Sequence, residues 1–303
     1  MRRKRAKYLL SNLLLSNLLL AVFSASVGAA EVDPGDGQAK PDATTFVRIQ
    51  RDDKNRPVTL ETGIVSYIPA DGTREGLAVD LIAAIHVGDQ KYFEQLNELF
   101  KSYEVLLYEL VAPEGVRPHP DQQRQPAIGL GTVQGGMSEM LELAFQLDEI
   151  DYTAANFVHA DMTPAEFARS MENNGETMLS LVFQMIGHSI AAQSKNPQHG
   201  TDLNFLAALF SPNRALMLKR TMAEQMHDMD TIATLGGQNS TLVVQRNKKA
   251  LDVLRREIGA DHKKLGIFYG AAHLPDMEQR LVTEFQLKRD SQRWLPAWDM
   301  STK

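Results

Sequence analysis

The sequence predicts an α/β (α+β) protein: a central mixed, largely parallel β-sheet flanked by helices, with a helical insertion in the middle of the chain. Three observations lead there. A mostly apolar run, "GLAVDLIAAIH" (76–86), an amphipathic stretch, "DQKYFEQLNELFKSY" (89–103), and a second apolar run, "EVLLYELV" (104–111), place strand, helix and strand within 36 residues. That is the βαβ unit of a parallel sheet, whose strands are buried on both faces and so read as continuous apolar runs. A strand pattern returns late in the chain, in "KKLGIFYG" (263–270), and runs into a helical "LPDMEQRLVTEF" (274–285). Between these strand-rich ends, helical patterning dominates from about 137 to 258, with no repeat of fixed period.

The elements follow in order. "MRRKRAK" is basic without an acid, and "YLLSNLLLSNLLLAVFSASVGAA" is leucine-rich and ends in Gly28, Ala29 and Ala30. This is the layout of a secretory signal over residues 1–30, with cleavage near Ala29 or Ala30. An uncleaved anchor is the alternative, weakened by Ser11, Asn12, Ser16 and Asn17 inside the apolar run. Residues 31–45 are polar, with two Pro and two Gly, and read as a linker, so one domain is expected over 46–303. "PVTLETGIVSYIP" (57–69) alternates as a strand or hairpin. In 89–103 the apolar positions Tyr92, Phe93, Leu96, Leu99, Phe100 and Tyr103 share a helix face, with Asp89 as N-cap. Residues 112–136 form a long loop rich in Pro, Gly and Gln. In the helical middle, "SEMLELAFQLDEI" (138–150) reads as a helix, and "TPAEFARSMEN" starts with a Thr163 cap, Pro164 at the first helical position and Glu166 closing a capping box.

Composition narrows the function. Removing residues 1–30 takes away five basic side chains and no acid, and moves the formal charge from −6 to −11. Nucleic-acid binding is excluded on that balance, because neutralising phosphates needs a basic face. The chain has no cysteine. Disulfides, thiol nucleophiles, Cys-ligated zinc and a lipid-bearing cysteine are therefore excluded, and a metal ion must be held by His, Asp, Glu, Asn or water. No GxSxG elbow, HExxH helix, P-loop or dinucleotide fingerprint occurs.

Ligands in parallel sheets bind beyond the carboxyl ends of the strands. His86 ends the first apolar run, Glu109 lies near the end of the second, and His273 follows the late strand. The first two strands are expected to be neighbours, which brings His86, Glu109 and His273 to one sheet edge. Two imidazoles and a carboxylate are a common first shell for a catalytic divalent ion such as Mn, Co, Zn or Fe. The plainer alternatives are a hydrogen-bonded structural His86 and a solvent-facing Glu109. Against the latter, Val105, Leu106, Leu107 and Leu110 speak for a buried strand, where a carboxylate must be paired, protonated or metal-bound.

These stretches resemble a known family. "AAIHVGDQKYFEQL", "EVLLYEL" and "GAAHLPDMEQRL" are similar to the segments around the two GxxH motifs of the TraB/PrgY/GumN group, which includes the Tiki metalloproteases. "QRNKKALDVL" resembles the Arg-Asn helix between those motifs, and the similarity spans about residues 58 to 287. The second motif, Gly270 to His273, is intact; in the first, Ala83 stands where the family has Gly. The resemblance implies a sheet with flanking helices like the erythromycin-esterase (EreA) and ChaN-like folds. It also implies a divalent-metal site of His86, Glu109 and His273, with Arg246 and Asn247 close by. On that basis Glu109 is a ligand or general base, Arg246 stabilises an oxyanion or orients Glu109, and Asn247 hydrogen-bonds the substrate or a ligand. From the pattern alone Arg246 also fits a solvated helix face beside Lys248 and Lys249.

The expectation is an exported (periplasmic or secreted) metal-dependent hydrolase, most simply a peptidase, acting on a peptide or small molecule. The alternative is a non-catalytic extracytoplasmic protein that sequesters such a ligand. Other signals are local. His159 and Asp161 in "FVHAD" read as a turn or cap before Thr163, or as a pair supporting the metal site. His188 reads as a core residue, His119 as part of a covering loop, and His199, His227 and His262 as surface residues. The methionines of the middle (Met137, Met140, Met171, Met178, Met185, Met217, Met222, Met226, Met229) fit plastic core packing or an adaptable apolar groove for a peptide.

Overall fold

The structure, a computed structural model, describes residues 44–118, 143–177, 213–226 and 240–301. The stretch read as a signal and most of that read as a linker lie outside the described residues, as do His119, His188, His199 and His227. So do Met137, Met140, Met178, Met185, Met229 and the side chain of Met226.

The protein is mixed α/β: a central mixed sheet of mostly parallel strands, flanked by helices. Seven strands form it: β1 (Val47–Arg51), β2 (Pro57–Pro69), β3 (Ala78–Ala84), β5 (Val105–Tyr108), β7 (Phe157–His159), β8 (Lys264–Gly270) and β9 (Leu287–Asp299). Strand β2 is one continuous 13-residue strand rather than a hairpin. It pairs antiparallel with β9 along one edge, and with β1 and then β3 along the other. From β3 onward the sheet is parallel, in the order β3, β8, β5, β7.

That order corrects one expectation. The two strands of the βαβ unit, β3 and β5, are not neighbours; β8, nearly two hundred residues later in sequence, lies between them and pairs with both. The connection through α1 (Gln90–Phe100) steps over one position, a freedom that the crossover rule leaves open. A strand after the helical middle then fills the gap.

Period-two alternation builds two cores. On one face Ile64, Ile82, Leu106, Tyr108 and Phe268 pack against Tyr92, Phe93, Leu96 and Phe100 of α1. On the other, Leu81, Ala83, Leu107, Ile267 and Tyr269 pack against α5 (Arg246–Gly259) and α6 (Leu274–Thr283) through Leu251, Leu254, Leu274 and Met277. Ala83 sits inside this ordinary strand packing, so a side chain at that position causes no strain.

Several local readings change. β3 ends at Ala84, so His86 lies beyond the sheet, not at its last residue. A separate two-stranded ladder follows at once, β4 (Val87–Gly88) with β6 (Ala144–Phe145). The described part of "SEMLELAFQLDEI" is therefore β6 followed by the single-turn α2 (Gln146–Glu149), not a longer helix. Asp89 occupies the N-cap of α1 but makes no side-chain cap bond. Its carboxylate instead accepts from Lys219 of α4 (Arg214–Met226) at 2.7 Å and from the backbone of Asp299 at 2.6 Å. "FVH" is strand β7 on β5 rather than a loop. The capping box of α3 (Pro164–Asn173) is present in full. Of the described middle methionines, Met171 is buried with Val111, Met162 and Phe167, while Met217 is exposed. No helix among the described residues is long and apolar enough to cross a membrane.

Candidate functional site

The strand order puts three chain segments side by side at the carboxyl edge of the parallel sheet. His86 follows β3, a 3-10 turn (Ala271–His273) follows β8, and Glu109 follows β5. Because β8 is central, His273 comes between the segments that carry His86 and Glu109.

The carboxylate of Glu109 is held from both sides. Its Oε1 accepts from Arg246 Nη2 at 2.6 Å, and its Oε2 accepts from the backbone N–H of Gly270 at 2.7 Å. A Cβ at position 270 would stand 3.2 Å from that Oε2. The motif glycine thus permits the close approach of carboxylate to backbone. Burial works to raise the pKa of Glu109, but Arg246, His273, His86 and the Gly270 N–H outweigh it and hold the carboxyl below its usual range.

Arg246 is the first residue of α5 and is 4% exposed, so its side chain is not on a solvated face. A π-helical turn, Thr241–Gln245, leads into it; such turns are rare and recur at functional sites. Arg246 donates Nε and Nη2 to the two oxygens of Asp161, at 2.9 and 2.6 Å, in a bidentate pair. Burial disfavours the charged guanidinium, yet Asp161 and Glu109 together raise its pKa well above the ordinary value. Asp161 is not only a turn residue. One of its oxygens does accept the next backbone N–H, from Met162 at 2.7 Å, but its larger role is as the buried counter-ion of Arg246. His159 is turned elsewhere, with Nε2 2.6 Å from the carbonyl of Leu110.

Asn247 fixes the state of His273. Its Nδ2 donates to the His273 carbonyl at 2.9 Å and to Asp276 Oδ2 at 2.8 Å, both acceptors. Its Oδ1 must therefore be the atom facing His273 Nδ1, 2.7 Å away, and Nδ1 carries the hydrogen. Burial pulls the pKa of His273 down to about 4, against the opposing pull of Glu109, so the ring is neutral near pH ~7. Its Nε2 is then a bare lone pair, 3.5 Å from Glu109 Oε1. In that state both atoms are acceptors, and Glu109 Oε1 is shared with Arg246. The charges of Glu109 and Asp161 exceed that of Arg246 by one, leaving a net negative site.

His86 approaches from the other side. Its Nδ1 lies 3.1 Å from Gln146 Oε1, and it acts electrostatically on both Glu109 and His273. Sequence reasoning had no signal for Gln146 or its partner Tyr152, 2.8 Å away. Among the described residues no three His, Asp or Glu side chains stand close enough together to form a complete ligand set. Compared with known proteins, the chain matches no family model, no curated protein and no solved structure.

Proposed function

We propose that this protein is an extracytoplasmic metal-dependent hydrolase, with peptides as its substrates, of the kind the TraB/PrgY/GumN resemblance and its EreA/ChaN-like fold imply. The observation that carries the proposal is the 3.5 Å approach of His273 Nε2, the ring nitrogen that Asn247 leaves free, to Glu109 Oε1 in a buried site. Two ligands about 2.1 Å from a tetrahedral ion lie roughly 3.4 Å from each other. The spacing and donor types therefore suit one divalent cation such as Zn, Mn, Co or Fe, with His86 as the candidate third ligand.

When bound, a divalent ion supplies Lewis acidity to the water and carbonyl of a hydrolysis. The chain's own residues prepare for it. Arg246 keeps Glu109 ionised, and a carboxylate held that acidic is a poor proton acceptor, which favours the ligand role over the general-base role. Arg246 gives Nε and Nη2 to Asp161 and Glu109 and turns Nη1 toward the Leu242 carbonyl at 3.4 Å, which favours orienting Glu109 over reaching a substrate oxyanion. Asn247 spends its amide on His273 and Asp276 and acts as the support that orients a ligand.

A second reading, a binding protein without catalysis, is favoured by the absence of a complete three-ligand set among the described residues. Elemental analysis separates the two. The mature protein, wild type beside His86→Ala and His273→Ala, is incubated with Mn, Co, Zn and Fe salts and desalted. Near-stoichiometric metal in the wild type, lost in both variants, is the expected result. A metal-free wild type beside folded variants overturns it and leaves the binding protein.

A further inference from the structure

Gln146 stands outside both histidine motifs, yet it grips His86 twice. Its backbone N–H donates to the His86 carbonyl at 2.9 Å, and its side-chain Oε1 faces His86 Nδ1 at 3.1 Å. The grip is built into the fold. β6, immediately before Gln146, pairs with β4, immediately after His86, so the ladder brings the two residues together. β4 is itself pinned: Trp298 Nε1 donates to the Val87 carbonyl at 2.7 Å, and a Cβ on Gly88 would strike the Tyr92 ring at 2.9 Å. Gln146 is buried, and its Nε2 donates at 2.8 Å to the hydroxyl of Tyr152, itself fully buried against Tyr108. In this arrangement the amide nitrogen meets the Tyr152 hydroxyl, a group that can accept or donate, and the amide oxygen faces the imidazole. On the other side of the site Asn247 makes the same presentation to His273 Nδ1.

We propose that Gln146 is a positioning residue that holds His86 in the Nδ1–H tautomer, leaving Nε2 as its bare nitrogen, with the Tyr152 hydroxyl accepting from the other end of the amide. Each histidine of the site then has a side-chain amide as tautomer guide, one from the Arg-Asn helix and one from a segment that neither motif includes. What the bare Nε2 binds rests on the metal reading above; the tautomer itself does not.

The test is ¹⁵N NMR of histidine-labelled, metal-free protein above the imidazole titration range, in wild type, Gln146→Leu and Gln146→Glu. The wild type is expected to show His86 protonated at Nδ1. Gln146→Leu removes the acceptor and shifts His86 to the Nε2–H form that free imidazole side chains prefer. Gln146→Glu keeps an acceptor and restores Nδ1–H. The His273 resonances, unchanged throughout, report that the fold and the Asn247 contact are intact. An Nε2–H wild-type His86, or a tautomer indifferent to Gln146→Leu in a protein with native His273 signals, overturns the proposal. The readout is taken without metal, so a failure of the metallohydrolase reading leaves it standing, and its own failure leaves the metal analysis unaffected.

Discussion

Arg246 decides the charge balance of the site. A buried guanidinium shared by two carboxylates holds Glu109 ionised beside a neutral imidazole, and Asp161 makes that possible by forming a pair with both of its oxygens. Removing Asp161 leaves buried charge poorly compensated. Asp161→Ala is therefore expected to cost about 3–5 kcal/mol in urea denaturation, while Asp161→Asn, which keeps one acceptor, should cost less. A loss near zero for the alanine variant would mean that Arg246 finds water or Glu109 alone sufficient. The protonation states also set an acid sensitivity. His273 titrates at about 4 in the folded protein, so the unfolded chain binds a proton that the folded ring refuses. Stability of the metal-free protein should rise with pH from about 4 to about 6.5 and fall on acidification. Glu109, held below its ordinary value, adds to the same trend as pH drops through the carboxylate range. Urea midpoints across this window should drop as the pH is lowered from about 6.5 to about 4 in the wild type, and drop less in His273→Gln. At this scale the strand ends pointed to His86, Glu109 and His273 and the family resemblance to Arg246 and Asn247, and the structure brings Glu109, Arg246, Asn247 and His273 into contact. Asp161 looked like a local turn because Thr163 and Pro164 follow it, and its partner is 85 residues away. Gln146 and Tyr152 carried no signal, since a glutamine and a tyrosine in a polar stretch are ordinary surface choices.

At the scale of elements, the site depends on how helices start. α5 begins at Arg246, and the π turn before it is tied down at Thr241, whose hydroxyl meets Ser170 and Asn174 and whose N–H donates to Glu176. Those partners belong to α3 and its end, and α3 is itself started by the Thr163–Glu166 box, with Lys249 of α5 reaching Glu166 at 2.8 Å. Thr163→Ala should cost about 1 kcal/mol, the usual worth of an N-cap, read from the shift of the denaturation midpoint. Stability within a few tenths of wild type would show that Pro164 and the Lys249 pair suffice to start α3. The capping box was legible because its chemistry is local. Strand β9 was not: "LKRDSQRWLPAWD" exposes most of its residues along an edge of the sheet, and its charges and proline belong to an edge strand rather than to an apolar run. Asp89 misled for the opposite reason. It stands at an N-cap, but Lys219 and the Asp299 backbone claim its oxygens.

At the scale of the whole molecule, the decisive feature is the insertion of β8 between β3 and β5. Apolar runs and helix periodicity in the sequence are enough to name β2, β3, β5 and β8, the parallel sense of β3 and β5, and the helices α1 and α6. They do not say which strands touch, because a βαβ connection can skip a place and a later strand can fill it. The consequence is functional: the β8 turn delivers His273 into the space between the His86 and Glu109 segments. The central claim is that this space holds a cation between His273 Nε2 and Glu109 Oε1. The most direct measurement is anomalous diffraction from crystals of residues 31–303 grown with Zn or Mn, collected on either side of the metal's absorption edge. The account predicts one strong edge-dependent peak within bonding distance of both atoms. A well-ordered site without such a peak, or with metal bound only elsewhere, would contradict it.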